Sequence, residues 1–271
     1  MRRTGVSKPI LLIGAGRMGT ALLKGWLANG LTPIIAVEPK PSVELKKLSK
    51  SRGLTLVSSL EKIDRPRPRA CVVAIKPQIL KTEAPTLRAI AESGAVMISI
   101  AAGTRVKSFS AAWGAKARIV RAMPNTPGAI GRGITGLYAA PNATAADKKL
   151  ADSLLAALGQ TVWVKNESLI DSVTAVSGSG PAYVFHLVEA LTEAGVKAGL
   201  EAKLAGQLAR ATVAGAGALL DADKSEAADL RIAVTSPGGT TEAALKIMMP
   251  ELPELMTRAV LAAKKRAEEL G

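Results

Sequence analysis

The sequence predicts an α/β domain on a mainly parallel, doubly wound sheet, followed by an all-α domain. Three observations predict it. Short apolar runs alternate with helical patterns through about the first 165 of 271 residues, the pattern of strands joined by crossover helices. A glycine fingerprint links the first run to the first helix. After about Lys165 the strand signals fade and long helical faces take over. The length suits one large domain or two smaller ones, and the change of pattern places two, at residues 1–165 and 166–271.

The elements follow in order. Ile10–Ile13 is a short apolar run that breaks into Gly14, Ala15, Gly16, Arg17, Met18 and Gly19. Met18, Ala21, Leu22, Gly25 and Trp26 then recur at helical spacing until Asn29-Gly30 ends the pattern. A second strand, Ile34–Val37, closes on Glu38. Further strands are predicted over 54–57, 70–75, 96–100, 119–122, 136–139 and 161–164, with helices over 85–92 and 145–158 among the connections. Beyond Lys165, Phe185, Val188, Leu191 and Gly195 share one helical face. Ala205, Leu208, Ala209, Thr212, Ala216 and Leu219 share another. A helical pattern begins at about Glu242, and a helix over 254–270 closes the chain. So long an apolar helix in a small helical domain predicts a partner surface, read as homodimerisation.

Composition narrows the classes of function. Nearly half the residues are hydrophobic but only 3% are aromatic, so the core is aliphatic. The formal net charge is +14, which attracts anions. It is scattered, however, and no zinc spacing, stacking motif or basic recognition stripe argues for nucleic acid. No run of about 20 apolar residues predicts a membrane span. The apolar run behind Met1-Arg-Arg is too short for a signal peptide. The single cysteine, Cys71, lies in an apolar strand and excludes an internal disulfide, in agreement with a reducing cytoplasm.

The chemistry lies in the turns. In Gly14-x-Gly16-x-x-Gly19, the first glycine allows the tight turn, the second lets backbone approach a pyrophosphate, and the third lets helix and strand pack. Glu38, at the end of the second strand, is placed to bond both ribose hydroxyls and to repel a 2′-phosphate. That favours NAD, whereas Lys40 is a candidate partner for the phosphate of NADP. Ala74, Lys76 and Pro77 close the fourth strand at the ligand crevice, with Lys76 a candidate for cofactor hydroxyls. Asn125, in the Pro124–Pro127 loop, either bonds a nicotinamide carboxamide or shapes the pocket. Ser177-Gly-Ser-Gly-Pro181 opens the first long helix, with Pro181 in its first turn, and offers one wall of a substrate site.

Thr235-Ser-Pro-Gly-Gly-Thr-Thr-Glu242 is the most informative stretch. Bare glycine amides followed by hydroxyls at a helix start suit an anion, phosphate or small carboxylate, on backbone donors. The alternative is a plain capped turn. His186, the only histidine, follows Phe185 on a helix expected to be packed, and is read as a hydrogen-bonded structural residue. No catalytic triad or metal cluster can be assembled from the sequence.

Ile13-Gly-Ala-Gly-Arg-Met-Gly, Val73-Ala-Ile-Lys-Pro-Gln, Ser99-Ile-Ala-Ala-Gly, Arg121-Ala-Met-Pro-Asn-Thr-Pro, the 171–185 segment and Val234-Thr-Ser-Pro-Gly-Gly-Thr-Thr run in order along the chain. Together they resemble pyrroline-5-carboxylate reductase, the last enzyme of proline biosynthesis. The resemblance implies an α/β Rossmann domain followed by an all-α helical dimerisation domain. It implies that the backbone of Gly238, Gly239, Thr240 and Thr241 holds the substrate carboxylate, with the Thr241 hydroxyl near the ring nitrogen and Ser177 nearby. It places the substrate at a dimer interface, facing cofactor of either subunit. NADPH is usual in the family and NADH is used by some members. Glu38 departs from the small polar residue often found at its position. A β-hydroxyacid dehydrogenase shares this plan but needs a general base, often a lysine, on the first long helix, where Gly-Pro-Ala-Tyr-Val-Phe-His has none. A third alternative is a nicotinamide-binding sensor without turnover.

Overall fold

The computed structural model describes residues 8–64 and 66–271; the reading of Met1-Arg-Arg lies outside them. The chain forms two compact units. One comprises residues 1–178 with 264–271, the other residues 179–263.

The first unit is a single eight-stranded sheet. Its strands are β1 (Ile10–Ile13), β2 (Ile34–Val37), β3 (Leu54–Val57), β4 (Ala70–Val73), β5 (Val96–Ser99), β6 (Arg118–Met123), β7 (Gly133–Ala139) and β8 (Gly159–Trp163). Their order is β3-β2-β1-β4-β5-β6-β7-β8, and every pair is parallel except β6 with β7. The connecting helices are α1 (Arg17–Ala28), α2 (Val43–Leu48), α3 (Pro77–Glu83), α4 (Arg88–Glu92), α5 (Val106–Trp113) and α6 (Ala145–Leu155), with α7 (Leu169–Val173) after β8.

Alternation along β1 shows why both faces are covered. Ile10 and Leu12 join one buried cluster with Trp26 and Leu154, and Leu11 and Ile13 join another with Cys71, Phe109 and Trp113. Each cluster is pinned by an indole whose polar atom finds a carbonyl. Trp26 Nε1 donates to the Leu154 oxygen at 2.7 Å and Trp113 Nε1 to the Ala84 oxygen at 2.9 Å.

The second unit contains α8 (Gly180–Lys197), α9 (Ala202–Ala222), α10 (Ala227–Ala233) and most of α11 (Thr240–Leu270). Small residues let α8 and α9 approach closely: a Cβ on Gly195 would lie 3.2 Å from the Ala205 Cβ, and Ala205 and Ala209 are buried. The larger side chains predicted on the same faces, Phe185, Leu191, Leu208 and Leu219, are exposed in the single chain.

Two local expectations are corrected. The 85–92 segment is a 3₁₀ turn, Ala84–Leu87, followed by the short α4. The closing helix starts at Thr240 and passes through Pro250 and Pro253. Each proline removes a donor, so the α-helical bonds to the carbonyls of Lys246 and Met249, both exposed residues, are missing. The first compact unit also extends past 165. Ile170 and Asp171 of α7 are buried in it, and the last turn of α11 returns to it, with the Leu270 Cβ 3.3 Å from where a Cβ on Gly103 would lie.

Candidate active site

The glycine turn lies at the carboxyl edge of the sheet between β1 and β4, where the winding reverses and open α/β sheets bind ligands. Its three glycines meet three different needs. Gly14 has φ +86°, and a Cβ there would lie 2.7 Å from Ile75 Cγ2 and 2.9 Å from the Ala74 oxygen. A Cβ on Gly19 would overlap the Gly14 carbonyl. A Cβ on Gly16, by contrast, would meet nothing within 4 Å, so here the backbone is bare toward the cleft.

Glu38 faces this turn. Its Oε2 accepts the Ala15 N–H at 2.9 Å and its Oε1 accepts the Lys40 N–H at 3.0 Å. The Thr20 hydroxyl donates to the Ala15 oxygen at 2.9 Å, which braces the turn from the helix side. Together they bound a cleft of about 440 Å³, lined also by Gly16, Arg17, Lys24, Ser42, Glu44 and Ala129. Arg17 and Lys40 are exposed, and Lys24 is paired with Glu44. Met18 turns inward to the core, and its Cε would lie 3.2 Å from a Cβ on Gly128.

The other predicted positions line up along the same edge. The Ala74 N–H donates to the Ile13 oxygen at 2.8 Å, carrying the β1–β4 ladder to the foot of the turn. Lys76, exposed, precedes α3, whose first residue is Pro77. Asn125 Oδ1 accepts the Ile134 N–H at 3.0 Å, which leaves its amide NH₂ as the group able to meet a ligand. A five-residue π-helical turn, Thr174–Gly178, carries Ser177. The Ser177 hydroxyl donates to the Val173 oxygen at 3.0 Å, and Gly178 comes close to Met123, at the end of the strand leading to Asn125.

Behind this turn lies a charge network that sequence reading did not identify. Asp171 Oδ2 accepts from Arg105 Nη2 at 2.9 Å, and its Oδ1 lies 3.7 Å from Arg121 Nη2. Glu167 Oε1 accepts from Arg121 Nη1 at 3.1 Å and from the Val106 N–H at 2.7 Å. The Arg121 and Asp171 side chains are each only 2% exposed. Both residues stand in segments with a recognisable pattern, but nothing in their spacing pairs them.

In the second unit, Gly238 takes φ +70° and the Gly239 N–H donates to the Ser236 oxygen at 3.0 Å, closing a turn. The Gly238 N–H is also used: it donates to Glu242 Oε2 at 2.6 Å. The N–H groups of Thr240 and Thr241, in the first turn of α11, have no acceptor within the helix. Of the four amides expected to receive an anion, two are therefore bonded inside the turn and two lie at the helix mouth. The place of Glu242 three residues after Gly239 is the signal in the sequence for a helix-start acid that bonds back.

His186 is exposed and its Nδ1 lies 2.9 Å from Glu189 Oε2. It is hydrogen-bonded as expected, but not packed, because this face of α8 is uncovered in one chain. Burial pushes the Cys71 thiol far above its usual range. No group of three or more metal-ligating side chains gathers among the described residues.

Residues 167–270 match the family model for pyrroline-5-carboxylate reductase dimerisation, and residues 9–103 that for NADP oxidoreductase, coenzyme F420-dependent. A pyrroline-5-carboxylate reductase of Pseudomonas aeruginosa is 38% identical over 97% of this chain and 96% of its own length. The chain belongs to the pyrroline-5-carboxylate reductase family. A plant member, from Pisum sativum, is 34% identical over 96% of this chain and 94% of its own. The structure of the Coxiella burnetii pyrroline-5-carboxylate reductase superposes with a TM-score of 0.90 at 36% identity, covering 98% of this chain and 99% of that one. The Plasmodium falciparum enzyme, solved with NADP bound, gives 0.78 at 28% identity, covering 97% and 98%. This family plan accounts for the order of the parts: dinucleotide turn first, helical unit last. No helix among the described residues is long and apolar enough to cross a membrane.

Proposed function

We propose that this chain performs the reaction of its family, reducing 1-pyrroline-5-carboxylate to L-proline with NAD(P)H, the last step of proline biosynthesis, and that the residues above form its site. The observation that carries the substrate side is the Ser236–Gly239 turn feeding the N-terminus of α11. It gathers main-chain donors at the positive end of a long helix dipole, which favours a carboxylate.

The cleft at the glycine turn suits a dinucleotide, because a Cβ on Gly16 meets open space where Gly14 and Gly19 are closely packed. Gly14, Ala15, Gly16, Arg17, Met18 and Gly19 would hold the pyrophosphate, and Glu38 and Lys40 the adenosine ribose. Ala74, Lys76, Pro77 and Asn125 would line the path toward the nicotinamide. A bound reduced nicotinamide supplies the hydride that the C=N carbon of the substrate accepts.

This chain's own task is positioning. Gly238, Gly239, Thr240 and Thr241 would hold the carboxylate, with the Thr240 and Thr241 N–H groups the ones that lack an acceptor in the helix, and Ser177 would be a further substrate-binding residue. Thr241 bonds the ring nitrogen and keeps a proton on it as the imine becomes an amine. A protonated C=N is already electrophilic, so orientation can supply several kcal/mol without a histidine–acid pair. A homodimer formed by the helical part, residues 166–271, belongs to the same proposal. It is supported by the exposed apolar side chains of α8 and α9 and by the match to a dimerisation model. So does a cytoplasmic location, consistent with a lone buried thiol.

The test is a steady-state assay in which protein, pyrroline-5-carboxylate and NADPH or NADH are mixed and absorbance is followed at the reduced-nicotinamide band. Substrate-dependent decay with proline formed is the expected result. Cofactor binding without decay would overturn the proposal and favour a sensor.

A further inference from the structure

We infer that Glu38 makes this chain an NADH-preferring member, by presenting a pre-fixed carboxylate to the adenosine ribose. The inference rests on the dinucleotide site proposed above and chooses between its two coenzymes.

Each Glu38 oxygen is held by a different main-chain donor. The Ala15 N–H, in the glycine turn, binds Oε2 at 2.9 Å, and the Lys40 N–H, beyond β2, binds Oε1 at 3.0 Å. Donors from two separate segments fix both the place and the plane of the carboxylate. A carboxylate offers about four lone-pair sites, so each oxygen keeps one. A ribose diol brings two O–H donors on adjacent carbons, which matches one vacant acceptor site on each oxygen. A 2′-phosphate brings only acceptors and negative charge to the same place.

The cations around the cleft do not reverse this. Lys24 is already paired with Glu44. Arg17 opens α1 beside Gly16, at the turn proposed to hold the pyrophosphate, and its side chain is exposed. Lys40 has its side chain in solvent, while its main chain holds Glu38 in position. Moving Glu38 aside to admit a phosphate would break both N–H bonds and leave the turn braced from the helix side alone, by Thr20. The preference is therefore built into the glycine turn as well as into one side chain.

The test reads binding as well as rate. By calorimetry, wild-type protein is titrated with ADP-ribose and with its 2′-phosphate, neither of which can transfer hydride. ADP-ribose binding about tenfold or more tightly is expected from the repulsion between like charges at close range. The kcat/KM ratio should favour NADH to a similar degree. Glu38→Ser should remove or reverse both preferences. Glu38→Gln, which keeps an acceptor for the turn, should shrink them and serves if the serine variant does not fold. Equal or tighter binding of the 2′-phosphorylated ligand by wild type would overturn the inference, as would an unchanged preference in the variants. If ADP-ribose is preferred yet neither coenzyme reduces pyrroline-5-carboxylate, the proposed reaction fails and this inference stands.

Discussion

Glu242 reaches back over the first turn of its own helix and takes the Gly238 N–H at 2.6 Å. The amide it occupies is one of the four proposed to receive the substrate carboxylate. A carboxylate of the chain thus stands where a carboxylate of the substrate is to arrive, and Lys246, 3.5 Å away on the next turn, only partly offsets its charge. Glu242→Gln keeps an acceptor for the turn but removes the charge. At about 6 Å in water the repulsion removed is about 0.7 kcal/mol, so KM for pyrroline-5-carboxylate should fall about threefold with kcat unchanged. A steady-state series on the variant checks this; a raised KM would make Glu242 a plain helix cap.

Thr241 follows Thr240 at the mouth of α11, with its side chain partly exposed. If its hydroxyl bonds the ring nitrogen as the amine forms, Thr241→Ala should lower kcat/KM by about tenfold to a hundredfold. Thr241→Ser, which keeps the hydroxyl, should restore most of it. Cofactor affinity in both variants should match wild type, which fluorescence titration would measure. Unchanged turnover in the alanine variant would remove Thr241 from the chemistry.

Gly16 and Gly19 should respond differently to the same methyl group. At Gly19 it would strike the Gly14 carbonyl, and Gly19→Ala should cost about 1–3 kcal/mol of stability through overpacking. At Gly16 it meets open space, so Gly16→Ala should melt like wild type. It would, however, hold a ligand's phosphates away from the backbone, and a loss of about 1.4 kcal/mol weakens cofactor binding about tenfold. Paired melting and binding measurements separate the two cases. Equal melting temperatures for the two variants would contradict the close-packed role of Gly19.

Much of this was legible in the sequence, and the remainder fails for physical reasons. The first two strands and the glycine turn could be read because a buried parallel strand is a continuous apolar run and a pyrophosphate turn needs glycines at fixed offsets. The antiparallel course of β7 could not, since an apolar run carries no direction. Glu38 was placed by its distance from the turn, but its grip on Ala15 is a bond across 23 residues. The Arg105–Asp171 pair spans 66 residues and has no local signature. His186 and Phe185 were expected to be packed because their helix is amphipathic; periodicity shows which face is apolar but not whether the same chain covers it.

Cys71 lies on β4 with no exposure, and burial raises its pKa far above the usual thiol value. The sign follows directly. Native protein keeps the neutral thiol as pH rises through about 8.5, where an unfolded chain ionises. Iodoacetamide at pH 8 should therefore label denatured protein only. The raised pKa also stabilises the fold fully below about pH 8.5, and the contribution declines above it by up to about 1.4 kcal/mol per pH unit. Cys71→Ala should flatten that alkaline decline, as melts from pH 7 to 10 would show. Rapid labelling of native protein would refute the buried-thiol account.

Asp171 holds two arginines that come from different strand ends, Arg105 before α5 and Arg121 on β6. Among the described residues Arg121 has one other carboxylate, Glu167, and its Nε has no partner. Asp171→Ala would leave Arg121 buried with half its compensation and would release Arg105. Breaking a buried pair from one side costs about 3–5 kcal/mol, or about 6–20 °C in melting temperature at this chain length. The π-helical turn with Ser177 begins three residues after Asp171, so the damage should reach the site. At temperatures where the variant is still folded, KM for the substrate should rise more than kcat falls. Asp171→Asn retains one acceptor oxygen and the side-chain volume and should recover part of the stability. A melt of Asp171→Ala within 2 °C of wild type, within about 1 kcal/mol, would show that the network does not hold this part of the fold together.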